Sequence, residues 1–195
     1  SQRPARHSAA LPRLDDEASM EAMLRAAEVM RAHLERPEDA VLYYERVLVH
    51  DPENEGALDA LIELHEQLAR WQQLVEAIDR RASLGADPET DVRLLRRMSQ
   101  VYELELSEHG AAIEGWRRVV DIDEMDGEAL DALDRLYTAL EDWHALVDVL
   151  SRRIQAAPSG AAEISLRLGQ VLEDRLGRTA DAVEQYEEVL NYDPG

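Results

Sequence analysis

The sequence predicts an all-α fold, a solenoid of ten helices stacked as about five helix-turn-helix hairpins. Three observations carry this. Apolar residues recur at helical steps from Asp15 onward, as at Leu58, Leu61, Ile62 and Leu68, the spacing of an amphipathic helix. Pro and Gly stand at the ends of these runs, where Pro suits a first helical turn and Gly a stop. The chain also repeats itself: Ala57-Leu58-Asp59-Ala60-Leu61 returns 72 residues later as Ala129-Leu130-Asp131-Ala132-Leu133. Self-similarity at such a period is the mark of a repeat architecture. No run alternates with period two in β-branched residues.

The elements follow in order from the punctuation. Helices are expected at 17–34 and 38–50, separated by Pro37, and at 54–69 after Pro52. The next spans 71–84 and stops at Gly85; Pro88 then opens 89–106. Helices at 109–122 and 126–141 carry Gly110 and Gly127 near their starts. Those at 142–156 and 160–176 are divided by Pro158 and Gly160, and 179–192 lies between Gly177 and Pro194.

The repeat fixes how these helices group. The shift of 72 also carries Ala40 to Ala112, Tyr44 to Trp116, Val47 to Val119 and Trp71 to Trp143. After the Pro158 loop it becomes 70, so that Gln100-Val101 matches Gln170-Val171. A third partial copy begins at Ala182, Tyr186 and Val189. Each unit of about 70 residues thus holds two hairpins of about 35. Small residues such as Ala40, Ala112 and Ala182 let helices approach, and Tyr44, Trp116 and Tyr186 fill the gap one turn away. All three aromatics are expected in the core, as are Trp71 and Trp143.

The series of small residue, aromatic, small or apolar residue and Pro in Ala40, Tyr44, Val47, Pro52 and in Ala182, Tyr186, Val189, Pro194 resembles the tetratricopeptide repeat family. Leu168-Gly169 matches the Leu-Gly pair of the preceding helix in that family. Ala112, Trp116 and Val119 repeat the series with Glu124 in place of Pro, and the alternate hairpins depart, with Leu74 and Ile78 in the small and aromatic places. The resemblance covers about 17–195. It implies a right-handed α-solenoid with a concave face lined by the first helix of each hairpin.

Composition narrows the function. The chain has 195 residues and a formal charge of −21, with no Cys and no Phe. All 21 basic residues are Arg, which excludes Schiff-base lysine chemistry and the usual phosphate-loop lysine. The absence of Lys and Phe fits a GC-rich genome. Residues 1–14 carry Arg3, Arg6 and Arg13 and no acid, and read as a flexible basic arm or an expression remnant. The body, 15–195, then holds 18 Arg against 42 acids, a formal −24. That sign disfavours nucleic acid and anionic membranes. No apolar run reaches the roughly 18 residues a membrane span needs. A cytoplasmic location is expected.

Motifs that carry chemistry do not assemble, and no catalytic, cofactor-binding or metal residues are expected. Asp121, Asp123, Asp126 and Gly127 resemble a calcium loop, but with Gly sixth the first place falls on Ile122, where Asp is required; a turn with a helix cap is expected. Glu141 and His144 give one Glu-x-x-His spacing without the second that a di-iron bundle needs. His65 reads as a partly buried core residue.

Function is therefore expected on the concave face, at positions that the resemblance implies: Asp59, Glu63, Glu66, Arg93, Arg96, Gln100, Glu103, Asp131, Arg135, Gln170 and Glu173. Their signs alternate, which suits a protein or peptide segment of mixed charge, basic overall. The expected function is a non-catalytic protein-interaction scaffold; the alternative is a self-assembling repeat segment with no separate ligand, associating end to end. The turn-like ending Tyr192-Asp193-Pro194-Gly195 suggests part of a longer array.

Overall fold

The computed structural model describes residues 16–34, 36–85, 87–156 and 160–192. The expected arm at 1–14 and the turn at 193–195 lie outside them. The described chain is helical, with no strand among the described residues, and forms two compact units, Ser1–Arg70 and Trp71–Gly195.

The first unit contains α1 (Asp16–His33), α2 (Pro37–His50) and α3 (Glu55–Gln67), each packed on the next. Pro37 opens α2 with Glu38 and Asp39 in its first turn, where the helix dipole favours acids. Asn54 caps α3 by accepting the Ala57 N–H at 3.0 Å. Ala40 and Val47 are wholly buried and Tyr44 nearly so, as the repeat requires. Fully burying a side chain such as Leu58 contributes roughly 1.5–3 kcal/mol. His65 is buried as well.

The second unit contains α4 (Trp71–Ala82), α5 (Pro88–Leu104), α6 (His109–Ile122), α7 (Gly127–Ala139), α8 (Trp143–Ala156), α9 (Ala161–Asp174) and α10 (Thr179–Tyr192). Each packs on its successor. Trp116, Val119, Leu130, Leu146 and Leu150 form the centre of the core. Small residues set the closest approaches. A Cβ on Gly115 would collide with the Ser99 side chain, and one on Gly169 would fall within the Tyr186 ring.

Helix starts match the sequence reading within a residue, but α3, α4, α5, α7 and α9 stop two residues early. The reason is a left-handed residue after each: Ala69, Gly85, Ser107, Glu141 and Gly177, with φ between 51° and 64°, a conformation that ends a helix. Two core expectations need correction. Trp71 and Trp143 are half-buried at helix starts, and the Arg175 guanidinium lies 4.9 Å from the Trp143 ring centre. Tyr186 is half-buried too, with its hydroxyl donating to Glu173 at 2.9 Å. The Asp121 to Gly127 segment is a turn and cap: Asp126 accepts the Ala129 N–H at 2.9 Å and Asp123 that of Met125 at 3.1 Å.

Candidate protein-interaction face

In the first unit Asp59, Glu63 and Glu66 lie exposed along α3. Arg31 of α1 donates to Glu63 at 2.5 Å, which ties the two first helices at a separation of one hairpin.

The second unit builds a longer version of this ladder. Arg93, Arg96, Gln100 and Glu103 form one stripe of α5, since they are three and four apart. Arg96 donates through Nε to Asp126 at 2.9 Å and binds it again through its terminal nitrogen. Asp126 is buried and also caps α7, so one carboxylate fixes the start of α7 and its distance from α5. The hydrogen bond to Asp126 holds the Arg96 guanidinium above its usual pKa. Gln100 donates to Glu128 at 2.7 Å, and Arg135 to Glu103. Glu173 accepts from Tyr186, and Gln170 and Arg93 are exposed on α9 and α5.

The structure thus brings together Arg96, Gln100, Glu103 and Arg135, and their alternating signs are matched between neighbouring first helices. Arg96 and Gln100 meet Glu128 in solvent, and exposed pairs typically contribute about 0–1 kcal/mol, whereas Glu103 and Asp126 are largely enclosed. The exposed pairs order the face while leaving its groups exchangeable.

Four residues outside the expected set belong to it. Asp134 on α7 is buried; it binds Arg153 of α8, and it accepts from Arg167 of α9 at 2.6 Å. Arg153 reaches Asp131 at 2.7 Å, and Arg167 donates to Thr138 at 2.9 Å. The sequence carried a signal for this. Asp134 stands 72 residues after Ile62, so an acid replaces an apolar residue within the repeat.

Between α5 and α7 this face opens into a cleft of about 550 Å³, lined by Gln100, Glu103, Leu104, Asp131 and Arg135 with Trp116 beneath. Leu104 is 71 % exposed there, whereas Trp116 is buried and its indole N–H has no hydrogen-bond partner among the described residues. A second cleft of about 340 Å³ adjoins it at Asp131 and Arg135 and ends at Arg153 and Arg167. Apolar surface beside convergent donors and acceptors is the composition of a recognition surface. Among the described residues no group of three or more His, Asp or Glu side chains is placed to hold a metal ion, and no helix is long and apolar enough to cross a membrane.

The family profile described as tetratricopeptide repeat matches residues 21–54 and 163–195. These segments include the α1–α2 and α9–α10 hairpins. No curated protein matches the sequence. Among solved structures, one of MamA protein is 17 % identical, with 91 % of this chain and 93 % of that one covered and a TM-score of 0.51. YrrB, described as a TPR protein with an unusual peptide-binding site, is 15 % identical, with 92 % and 90 % covered and a TM-score of 0.51. At such identities the likeness is one of fold. The α1–α2 and α9–α10 hairpins thus carry the tetratricopeptide repeat, and the shared fold extends the same all-α solenoid architecture to the hairpins between them.

Proposed function

We propose that the chain is a non-catalytic protein-interaction scaffold, and that the face formed by its first helices, concave in arrays of this family, takes a net-basic peptide or protein segment. The observation that carries this reading is the cleft between α5 and α7, where exposed Leu104 and buried Trp116 lie among Gln100, Glu103, Asp131 and Arg135. An apolar anchor ringed by polar groups is how most interfaces concentrate their affinity. The charge of −24 on residues 15–195 recruits basic segments, although salt limits the field to about 8 Å, so it acts mainly on the rate of encounter. A peptide-binding tetratricopeptide protein of the same fold, YrrB, is consistent with this use.

Affinity capture from native extract tests it with three proteins: the natural chain, Glu128→Arg with Asp131→Arg on the first-helix face, and Glu184→Arg with Glu187→Arg on α10. A partner held by the first and third but lost from the second is the expected result. A partner that responds equally to both reversals contradicts the face assignment.

A second reading, self-assembly, draws on α10, where Val183 is 52 % and Leu190 68 % exposed. It predicts an oligomer that dissociates on dilution and on Leu190→Glu substitution, measured by sedimentation.

A further inference from the structure

Leu133 and Tyr137 on α7, and Leu140 at its C-cap, point away from Asp131 and Arg135, because successive helical residues turn by about 100°. With α6 and α8 they enclose a separate cleft of about 670 Å³. Its floor is apolar: Leu133 and Tyr137 are buried, and Leu140 is half-exposed. Its walls are charged, with Glu114, Arg117 and Asp121 on α6, Asp142 just before α8, and Asp148 and Arg152 within it. Burial pushes the Tyr137 hydroxyl above the ordinary tyrosine range; Arg117 pulls it back, and Asp142, Glu114 and Asp148 push it further up. Three carboxylates from both walls therefore bear on one point of the cleft.

Two of them have local duties that leave their charge in place. Asp142 caps α8 by accepting the Ala145 N–H at 3.2 Å, and Glu114 meets Arg117 at 3.2 Å with both side chains well exposed. An exposed pair of this kind is easily exchanged.

We propose that this cleft is a second docking site, for a basic side chain carried on an apolar segment of a partner protein. The methylenes of an arginine or lysine lie along Leu133, Tyr137 and Leu140 while the cation reaches Glu114, Asp142 and Asp148. A long side chain with an apolar stem and a charged head matches this division of floor and walls, and the Tyr137 ring adds attraction for a cation. With Glu114, Asp121, Asp142 and Asp148 against Arg117 and Arg152, a phosphate or an acidic segment meets net charge of its own sign, and a wholly apolar segment would bury carboxylates without partners. The site is distinct from the first-helix face, so either proposal can fail alone.

The test uses the full chain, with ¹⁵N labelling, and two probes: acetyl-Leu-Arg-Leu-amide and the same peptide with uncharged citrulline in place of arginine. The arginine peptide is expected to give saturable shifts at the Gly110, Tyr137 and Ala145 amides. The citrulline peptide is expected to bind roughly tenfold more weakly, as loss of a charge-assisted contact implies. Glu114→Gln with Asp148→Asn, both exposed positions, should weaken the arginine peptide by a similar factor, whereas Glu128→Arg with Asp131→Arg should leave it unchanged. Failure to saturate, shifts that collect on α5 and the opposite side of α7, or equal binding of the two peptides would overturn the proposal.

Discussion

Hairpins α9–α10 and α7–α8 close in different ways. In α9–α10 the absence of a side chain on Gly169 admits the Tyr186 ring, and the turn reverses at Gly177 with φ at 64°, a conformation glycine adopts without steric cost. In α7–α8, Glu141 holds the left-handed place in the turn at φ 56°. Buried Asp134 ties α7 to Arg153 of α8 and to Arg167 of α9. The first of these hairpins is matched by the family pattern and the second is not. Where the pattern lapses, an ion-pair network is added to the close packing of Leu130, Leu146 and Leu150, and the clefts of the second unit described above border α7. A glycine and an aromatic ring close α9–α10, whereas a buried carboxylate helps to close α7–α8.

The comparison breaks most sharply at Gly169. Gly169→Ala forces a Cβ into the Tyr186 ring, and overpacking of this kind costs about 3 kcal/mol, read by urea unfolding. A loss below about 1 kcal/mol would mean that the ring swings aside and that this contact does not close the hairpin. Next in size is Asp134→Ala. Removing one partner of a buried ion pair costs about 3–5 kcal/mol; about 2–3 kcal/mol is expected here because Arg167 stays partly hydrated. Asp126→Asn keeps the cap on α7, as Asn54 does on α3, but gives up the charge that holds Arg96. It should cost about 1–2 kcal/mol, with helicity unchanged by circular dichroism.

Glu141→Gly sharpens the comparison in the opposite direction. It relieves a left-handed non-glycine residue and should stabilise the chain by about 1 kcal/mol, whereas Gly177→Ala should destabilise it. Alkaline pH has the mildest effect. Burial raises the pKa of Tyr44, Tyr102 and Tyr137 above the ordinary 10.0. Their contribution is complete below pH 10 and fades as pH rises through the folded values, because the unfolded chain ionises first. Thermal midpoints should be insensitive to this below pH 10 and fall above it, together with a late rise in tyrosinate absorbance.

Helix number and order were legible because each apolar stripe is long and most junctions carry Pro or Gly. The ends of α3, α5 and α7 were not, since Ala69, Ser107 and Glu141 hold left-handed positions without the glycine that would announce them. Trp116 is buried as its repeat position implies because α5 and α7 flank α6, while Tyr186 stays half-exposed because α10 packs chiefly on α9. The stripe of α5 was legible as a face. Its partners were not, because a pairing such as Arg96 with Asp126 depends on how a cap meets the neighbouring helix. Asp134 was readable in principle, as a charge where the preceding copy has Ile62.

The claim that charge adds to close packing in tying α7 to α8 is tested most directly by a double-mutant cycle of Asp134→Ala and Arg153→Ala, followed by chemical unfolding. Residues joined in one ion-pair network couple by about 0.5–3 kcal/mol. A coupling above about 1 kcal/mol is predicted here, because Asp134 is buried and Arg153 is largely enclosed. Additivity within about 0.5 kcal/mol would show that α7–α8 holds together by its apolar contacts alone, and would contradict the account.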